Sequence, residues 1–369
     1  MQIVIVGPVF PIRGGIAHHT GLLANALSNQ HNVTVISFCR LFPRWLYPGR
    51  EQRDTNIMNL RLNIQYVLDS LNPITWWRTV LLIRSLKPSV VIFQWWVTFL
   101  APVFTFIAWW LKRRGVTRIF IIHNVLPHET RIWDPLLARM ALHLGNLCIV
   151  QSENQKKKLV ELLPQANVEL VDMPIFDLFA GQQISKEKAR ERLSLPQEEK
   201  IALFFGFVRK YKGLEFLISA LALLRDRGYP VKLLVVGEFW EGEEKYRSDI
   251  AELGLEQLVV IINRYVPNEE VPVYFCASDV FVAPYIGGTQ SAVIKTAMAF
   301  GLPIVLTDLI ADEHKTDGLW VVPPQDSGCL AKAISEALSA TPKGTAYSYA
   351  SLYSWDRIVK VIEQYVIER

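Results

Sequence analysis

The sequence predicts an α/β protein built from two successive doubly wound domains, each a parallel sheet covered by helices. Short apolar runs rich in β-branched residues alternate along the chain with helical stretches. Such runs are typical of strands that are buried on both faces. The 369 residues are also enough for two domains, since a typical domain has about 100–200. A proline- and charge-rich stretch at 173–200 separates two series of runs.

The predicted strands are eleven apolar runs. The first series comprises residues 3–6, 33–37, 90–93, 119–122 and 147–150. The second series comprises residues 201–205, 232–236, 258–262, 280–283, 304–306 and 319–322. Between them lie helical patterns such as Leu214, Leu217, Leu221 and Leu224, whose spacing of 3, 4 and 3 places them on one helix face. Alternating strands and helices predict parallel sheets.

The domain boundary is predicted between residues 173 and 200. Pro174 and Pro196 interrupt this stretch, and residues 185–194 carry so many charges that we expect a solvent-exposed helix there. We therefore assign residues 1–172 to an N-terminal domain and residues 173–353 to a C-terminal domain.

Composition and charge exclude several classes of protein. Hydrophobic residues make up 51% and charged residues 20%, which excludes a disordered chain. The net charge of +4 is too small to indicate nucleic-acid binding, so no nucleic-acid partner is expected. The net charge is nevertheless +8 for residues 1–180 and −4 for residues 181–369. This asymmetry indicates an anionic partner, either phosphate groups or a membrane surface, with a chance division of charge as the alternative.

The cysteines and the N-terminus bear on location. Four cysteines lack CxxC or metal-ligand spacing, so neither a disulfide framework nor a zinc site is predicted. We expect them to be small buried residues in a reducing compartment. Residues 1–6 enter a strand-like run without the charged lead-in of a signal peptide. The expected location is cytoplasmic, including a peripheral position on the inner face of the membrane.

Residues 94–111 contain no charge, carry tryptophan pairs at both ends and are followed by three cations. These features meet the outline of a membrane span. The segment also lies between two predicted strands, where a crossover helix belongs. A span, a helix partly embedded at a membrane surface and an ordinary core helix therefore remain open. The candidate membrane contacts are Trp95, Trp96, Trp109, Trp110, Lys112, Arg113 and Arg114.

Two glycine pairs lie between a predicted strand and a predicted helix. Gly14 and Gly15 follow the first strand, and a second pair ends at Gly288 before a helix of small residues. Glycine lets backbone amides approach a ligand closely, and a helix N-terminus favours anions. Ordinary turns are the alternative. The pattern is not GxGxxG, so a nicotinamide or flavin site is not predicted.

Three polar residues follow predicted strands, where side chains enter the crevice of an open α/β sheet. Arg209 and Lys212 follow the first strand of the second series and can hold a diphosphate, unless they form an ordinary basic loop. His123 follows the run at 119–122 and is predicted to contact substrate, with a structural histidine as the alternative. His128 and Glu129 lack helical ligand spacing with it, so no metal site is predicted.

Taken together, these segments resemble the retaining glycosyltransferases of the GT-B fold, specifically family 4. The matching pieces are Gly14-Gly15, His123-Asn124, Pro127-His128-Glu129, Gly206-Phe207-Val208-Arg209, Tyr211-Lys212-Gly213 and residues 284–303. Ser354-Trp355-Asp356 is similar to the family's closing helix, which returns to the first domain, so residues 354–369 are assigned there. The resemblance implies two Rossmann-like domains that face a cleft.

The resemblance implies a hexosyltransferase-type enzyme that transfers a sugar with retention from a nucleotide sugar to a glycan or lipid-linked acceptor. Such an enzyme serves polysaccharide or glycoconjugate synthesis and needs no cofactor or metal; no Asp-x-Asp occurs here. Arg209 and Lys212 are implied to neutralise the leaving diphosphate, and His123 to contact the donor sugar. The implied donor-binding residues are Gly14, Gly15, Gly288, Thr289, Gln290, Ser291 and Thr296.

The last motif departs from the family's pattern. The family has two glutamates eight positions apart that contact the donor sugar and the ribose, and Gly288 and Thr296 stand in their places. Glu313 lies too far along the chain to substitute. Without a placed carboxylate, a front-face route is favoured, in which the leaving phosphate accepts the acceptor's proton. The alternatives are a non-catalytic relative that binds nucleotide sugar or glycan, and another crevice enzyme such as a sugar-nucleotide epimerase.

Overall fold

A computed structural model describes residues 1–47, 49, 51–54, 61–127, 130–288, 291–311, 317–340 and 353–368. The chain divides into two compact units. Unit 1 comprises Met1–Pro174 and Ser354–Arg369, and unit 2 comprises Ile175–Tyr353.

The strands form one parallel sheet in each unit. They are β1 (Gln2–Val6), β2 (Asn32–Arg40), β3 (Asn63–Asp69), β4 (Val90–Trp95), β5 (Thr117–Ile122), β6 (Leu147–Val150), β7 (Val168–Leu170), β8 (Ile201–Phe205), β9 (Lys232–Val236), β10 (Val259–Ile262), β11 (Val280–Ala283), β12 (Ile304–Thr307) and β13 (Leu319–Val322). The order is β3-β2-β1-β4-β5-β6-β7 in unit 1 and β10-β9-β8-β11-β12-β13 in unit 2. Both orders reverse direction beside the first strand, the point where open α/β sheets bind ligands.

Helices connect the strands of each sheet. They are α1 (Gly15–Ser28), α2 (Pro73–Leu86), α3 (Ala101–Lys112), α4 (Asp134–Leu142), α5 (Glu153–Leu162), α6 (Lys186–Arg192), α7 (Leu214–Asp226), α8 (Glu243–Glu252), α9 (Val271–Ala277), α10 (Ala292–Ala299), α11 (Ser327–Ser339) and α12 (Trp355–Ile367). The predicted leucine stripe of α7 is buried in the core of unit 2. Helix α12 belongs to unit 1, where it packs on α1.

The predicted fold class is confirmed, and all eleven predicted runs are strands. Two strands were not predicted, β3 and β7, which are the edges of the first sheet. Their residues are mostly half-buried or exposed, so they lack the continuous apolar pattern that burial on both faces imposes.

The uncharged segment at 94–111 is divided among the end of β4, a 3-10 turn at Thr98–Leu100 and most of α3. In the described part of the chain, no helix is both long enough and apolar enough to cross a membrane. Trp95 is wrong as a membrane contact because it is 0% exposed. Its indole nitrogen donates a hydrogen bond to the Val125 carbonyl at 3.2 Å. The other six predicted contacts are half-buried or exposed.

The charged helix α6 is only partly exposed, because Arg190 is buried at 2% exposure. Its guanidinium lies 2.8 Å from an Asp279 carboxylate oxygen, and the same carboxylate accepts a hydrogen bond from the Ile201 amide at 2.7 Å. The buried cation is therefore paired, which makes its burial tolerable. The interaction attaches α6 to the start of β8.

The prediction of four buried cysteines is wrong at two positions. Cys148 is buried and Cys276 is intermediate, whereas Cys39 and Cys329 are exposed. Cys39 lies at the end of β2 and Cys329 in the first turn of α11, where a side chain can face solvent.

Candidate functional site

The loop after β8 forms the centre of the site in unit 2. Gly206 has a φ of +98° and Gly213 a φ of +67°. A Cβ on Gly213 would lie 2.0 Å from the Pro284 carbonyl oxygen. The Ile286 amide donates a hydrogen bond to the Tyr211 carbonyl at 2.8 Å. The loops after β8 and β11 are thus held against each other at the point where the sheet order reverses.

Lys212 is buried within this loop at 6% exposure. Burial lowers the pKa of its ammonium group, and the nearby Arg209 cation lowers it further, whereas Tyr211 opposes the change. The ammonium nitrogen lies 5.5 Å from the centre of the Tyr285 ring. Among the described residues, no carboxylate pairs with it. A buried, unneutralised cation is costly for a fold, and an anionic ligand offsets that cost.

Arg209 lies beside Lys212 and is surrounded by aromatic rings. Its guanidinium carbon is 5.2 Å from the centre of the Tyr211 ring and 5.3 Å from that of Trp240. Trp240 in turn packs on Phe207 at a ring separation of 4.6 Å. Such rings hold a guanidinium by cation–π attraction while its planar edge remains suited to phosphate oxygens. The structure therefore brings the two predicted diphosphate-binding cations together.

The loop after β11 contributes the remaining predicted residues of unit 2. Gly288 has a φ of +101°, and Ser291 precedes α10, with its hydroxyl 3.3 Å from that of Tyr285. Thr296 is buried, and its hydroxyl donates to the Ala292 carbonyl within the same helix at 3.0 Å. Its hydroxyl hydrogen is therefore committed to the helix backbone. The predicted residues Thr289 and Gln290 lie outside the described residues, as do His128, Glu129 and Glu313.

A second cluster lies at the carboxyl edge of the unit 1 sheet and is centred on His123. The ring is 7% exposed, and its Nε2 lies 2.7 Å from the Gln94 side-chain oxygen. Because that oxygen only accepts, Nε2 carries the proton and Nδ1 the lone pair. The Gln151 side chain interacts with the ring and partly opposes the lowering of its pKa, but among the described residues no atom forms a hydrogen bond of good geometry with Nδ1. His123 can thus accept a hydrogen bond from a ligand hydroxyl.

A second histidine packs against this ring. The His19 and His123 ring centres are 4.5 Å apart, and His19 also contacts the Trp355 ring at 5.0 Å. Burial lowers the pKa of His123 to about 3. Burial, followed by repulsion from His123, holds the pKa of His19 well below its usual value. Both rings are therefore neutral at pH 7, so the cluster offers hydrogen bonds rather than positive charge.

These depressed pKa values predict a pH dependence of stability. Between about pH 6.5 and 4 the unfolded chain binds protons at His19 and His123 that the folded chain does not. The free energy of unfolding should therefore decrease as the pH is lowered through this range, by up to about 1.4 kcal/mol per pH unit for each histidine. Urea unfolding between about pH 7 and 5 measures this slope. His123→Gln should reduce it, whereas His143→Gln, at an exposed position, should not. Equal slopes in all three proteins would contradict this interpretation.

The predicted glycine pair of unit 1 begins α1. Gly14 has a φ of +115°, and a Cβ there would meet no atom within 4 Å. The first amides of a helix have no acceptor within it, so Gly14 and Gly15 lie where an anion can be bound. The geometry is suitable for the predicted role.

Several residues of the unit 2 site were not predicted from the sequence. Tyr285 lies under Lys212, and burial raises the pKa of its hydroxyl to about 12. Trp240 packs on Arg209. Glu238 is a carboxylate residue with 4% exposure at the carboxyl end of β9, and its carbonyl accepts from the Val208 amide at 2.9 Å. Glu238 could have been predicted as a site residue, because it closely follows the apolar run at 232–236. The contacts of Tyr285 and Trp240 depend on tertiary packing.

Among the described residues, no three or more His, Cys, Asp and Glu side chains are grouped so that they could hold a metal ion. The chemistry that the structure does offer is two adjacent cations in unit 2 and a neutral imidazole acceptor in unit 1.

Comparisons with known proteins match both units. Residues 13–175 match the family model described as Glycosyltransferase Family 4, and residues 199–340 match the one described as Glycosyl transferases group 1. A D-inositol 3-phosphate glycosyltransferase from Corynebacterium urealyticum is 28% identical over 229 residues, which is 58% of this chain and 52% of that protein. Two other curated relatives are matched over 38% and 45% of their length, so the chain spans about half or less of these proteins.

Solved structures share the fold over the whole chain. Alr3699/HepE from Anabaena, in complex with UDP-glucose, is 16% identical with a TM-score of 0.75, and each chain is covered over 100%. Sucrose-phosphate synthase from Thermosynechococcus elongatus is 17% identical with a TM-score of 0.72, over 100% of this chain and 99% of that one. At these identities the likeness shows the fold alone.

Proposed function

Because the chain belongs to the group 1 glycosyltransferases of the GT-B fold, we propose that it transfers a sugar from a nucleotide sugar to a glycan or lipid-linked acceptor. The observation that carries the proposal is the buried Lys212 ammonium beside Arg209, at the reversal point of the unit 2 sheet. Two cations there suit a diphosphate, which is the leaving group of a nucleotide sugar.

The proposed chemistry is a front-face substitution with retention of configuration. The bond between the anomeric carbon and the phosphate oxygen breaks, and a bond to the acceptor oxygen forms on the same face. The acceptor hydroxyl loses its proton to the departing phosphate oxygen. Arg209 and Lys212 stabilise the negative charge that develops on the diphosphate, which is usually the largest contribution to such catalysis. In this proposal the two cations perform charge neutralisation without a metal.

We further propose that His123 positions the donor sugar. Its Nδ1 lone pair lies in a buried site, and its pKa of about 3 keeps it neutral at pH 7. A neutral imidazole can accept a hydrogen bond from a sugar hydroxyl without repelling the positive charge that develops on the reacting sugar carbon. Gly14 and Gly15 at the start of α1 would add backbone amides to the donor site.

A uridine nucleotide is the first donor to test, because Alr3699/HepE has been solved with UDP and with UDP-glucose. We also propose a hexose as the transferred sugar and a role in polysaccharide or glycoconjugate synthesis. The net charge of +8 on residues 1–180 supports an anionic or membrane-held acceptor and a peripheral position on the inner face of the membrane.

A thermal-shift panel tests the proposed donor. The probes are the diphosphates of uridine, guanosine, adenosine and thymidine, each with and without an attached hexose. A ligand that binds only the folded chain raises its melting temperature by mass action. The monophosphates of the same four nucleosides are the controls. We expect the diphosphate of one base to raise the melting temperature, and the monophosphate of that base to raise it much less. If none of the diphosphates raises it at millimolar concentration, the proposed function is wrong.

A non-catalytic relative that binds nucleotide sugar or glycan is the second candidate. This candidate is favoured because Gly288 and Thr296 stand where the family has its two glutamates, and neither side chain carries a carboxylate. The thermal shift does not separate it from an enzyme, whereas release of the nucleoside diphosphate does. Release above background in the presence of acceptor identifies a transferase.

A further inference from the structure

Helices α2, α3 and α4 lie side by side on one face of the unit 1 sheet. They connect β3 to β4, β4 to β5 and β5 to β6, and all three connections advance in the same direction across the sheet. Right-handed crossovers of this kind place their helices on one face. Helix α3 packs against both α2 and α4. The outward surfaces of these helices form a continuous surface, called here the three-helix face.

The outward stripe of α2 is apolar. Ile74 is 64% exposed, Trp77 38% and Leu81 42%, and their spacing of 3 and 4 residues puts them on one side of the helix. Thr79, Val80 and Ile83 form the buried side. A surface helix normally presents polar residues to solvent. Helix α2 therefore has two apolar sides, and only one of them packs in the core.

The neighbouring helices repeat this pattern. In α3, Trp109 is 39% exposed and packs edge-on against Trp110 at 5.2 Å. Trp110 also contacts Trp77 of α2 at 4.8 Å, which joins the two stripes. On α4, Leu136 is 62% and Met140 42% exposed. Exposed apolar residues on three adjacent helices amount to a patch, and patches of this kind mark interaction sites.

The same segments carry a strong positive charge. Residues 71–87, 97–116 and 130–146 contain eight lysines and arginines, all exposed, and one acidic residue. The acid, Asp134, is 4% exposed and accepts a hydrogen bond from the Arg131 amide at 2.6 Å. Several cations lie at the C-terminal ends of the helices, where Arg113 stacks over the Trp109 ring at 4.0 Å. Arginines with long apolar stems beside tryptophan suit a boundary between lipid and water.

We propose that the three-helix face binds the surface of an anionic lipid bilayer. The apolar stripes would enter the headgroup region and the surrounding cations would contact lipid phosphates. A second copy of this chain is the less suitable occupant, because pairing this face with itself would bring sixteen cations together around two buried acids. This binding rests on the proposed function for its purpose. It would hold the enzyme at the membrane, where a lipid-linked acceptor is presented.

Flotation of the full-length chain with vesicles tests the proposal. The vesicles contain phosphatidylcholine alone, or phosphatidylcholine with about one third phosphatidylglycerol. We expect the protein to float with the anionic vesicles at low salt and to be released at high salt. Ile74→Asn/Leu136→Asn and Arg113→Glu/Arg114→Glu should each reduce the bound fraction at least about tenfold.

Two matched variants control for general changes in polarity and charge. Ile367→Asn removes an apolar side chain that is 76% exposed on α12, and Lys188→Glu/Arg192→Glu reverses two exposed charges on α6. Both should float like the wild type. Failure of the wild type to float at low salt, or equal flotation of all variants, would overturn the proposal. So would a dimer in analytical ultracentrifugation that the α2/α4 double variant dissociates.

The outcome is separable from that of the proposed function. The variants of the three-helix face alter no residue of the nucleotide site, so a nucleoside diphosphate should raise their melting temperature as it does in the wild type. Loss of flotation with this shift retained supports the membrane surface. If a nucleoside diphosphate does not raise the melting temperature of the wild-type protein, the proposed nucleotide site is wrong. The flotation result still tests the membrane surface, because it does not depend on nucleotide binding.

Discussion

Lys212→Met is expected to lower turnover by about a hundredfold or more. The substitution retains an unbranched apolar stem but removes the ammonium group that we place on the leaving diphosphate. Loss of one preorganised charge-stabilising group usually costs an enzyme about two to three orders of magnitude in rate. The measurement is the release of nucleoside diphosphate from the nucleotide sugar that gives the largest thermal shift.

The same substitution is expected not to lower stability. Lys212 is buried, its pKa is lowered by burial, and no carboxylate among the described residues pairs with it. Methionine removes the cost of burying that charge, so the free energy of unfolding should stay constant or rise. A rate loss caused by misfolding would instead come with a lower free energy of unfolding.

Lys210→Met is the matched control, because Lys210 is exposed and lies in the same short turn as Lys212. Its turnover should stay within about twofold of the wild type, since an exposed cation is screened by solvent. Full activity of Lys212→Met, or equal losses in both variants, would contradict the role given to Lys212.

Gly213→Ala is expected to destabilise the chain by at least about 3 kcal/mol and to abolish binding of the nucleotide. The residue has a φ of +67°, and an added Cβ would lie 2.0 Å from the Pro284 carbonyl oxygen. The left-handed conformation alone costs alanine about 1–2 kcal/mol, and the contact requires the loop after β8 to separate from the end of β11. Urea unfolding gives the stability, and nucleotide titration gives the affinity.

Gly228→Ala separates the clash from the conformational strain. Gly228 follows α7 with a φ of +74°, and a Cβ there would meet no atom within 4 Å. We expect a cost of about 1 kcal/mol and unchanged nucleotide affinity. If the two alanine variants are equally stable, the close contact between the loops after β8 and β11 is not a constraint on the fold.

Most of the fold could be predicted because its central strands are buried on both faces. The run at 201–205 has the same bounds as β8, and that at 147–150 the same bounds as β6. The edge strands of the first sheet, β3 and β7, have no such pattern. The sequence of β3, Asn-Ile-Gln-Tyr-Val-Leu-Asp, mixes polar and apolar residues because most of its positions are half-buried or exposed.

The site was predictable where a residue type and its place in the chain were sufficient. Arg209, Lys212 and His123 all follow apolar runs, and the structure places each at the carboxyl edge of its sheet. What the sequence did not reveal is burial of charge. Arg190 was expected in solvent, but it pairs with Asp279, which is 89 positions away. The burial of Trp95 is decided by tertiary contacts rather than by local hydropathy. Trp95 pairs with Ile122 of β5, and its indole nitrogen donates to the Val125 carbonyl.

The most direct test of the account is a crystal structure of the protein with a nucleoside diphosphate bound. The account predicts phosphate oxygens within about 2.7–3.2 Å of the Lys212 ammonium nitrogen and of the Arg209 guanidinium. A diphosphate bound elsewhere in unit 2, with Lys212 still buried and contacting no phosphate oxygen, would contradict it.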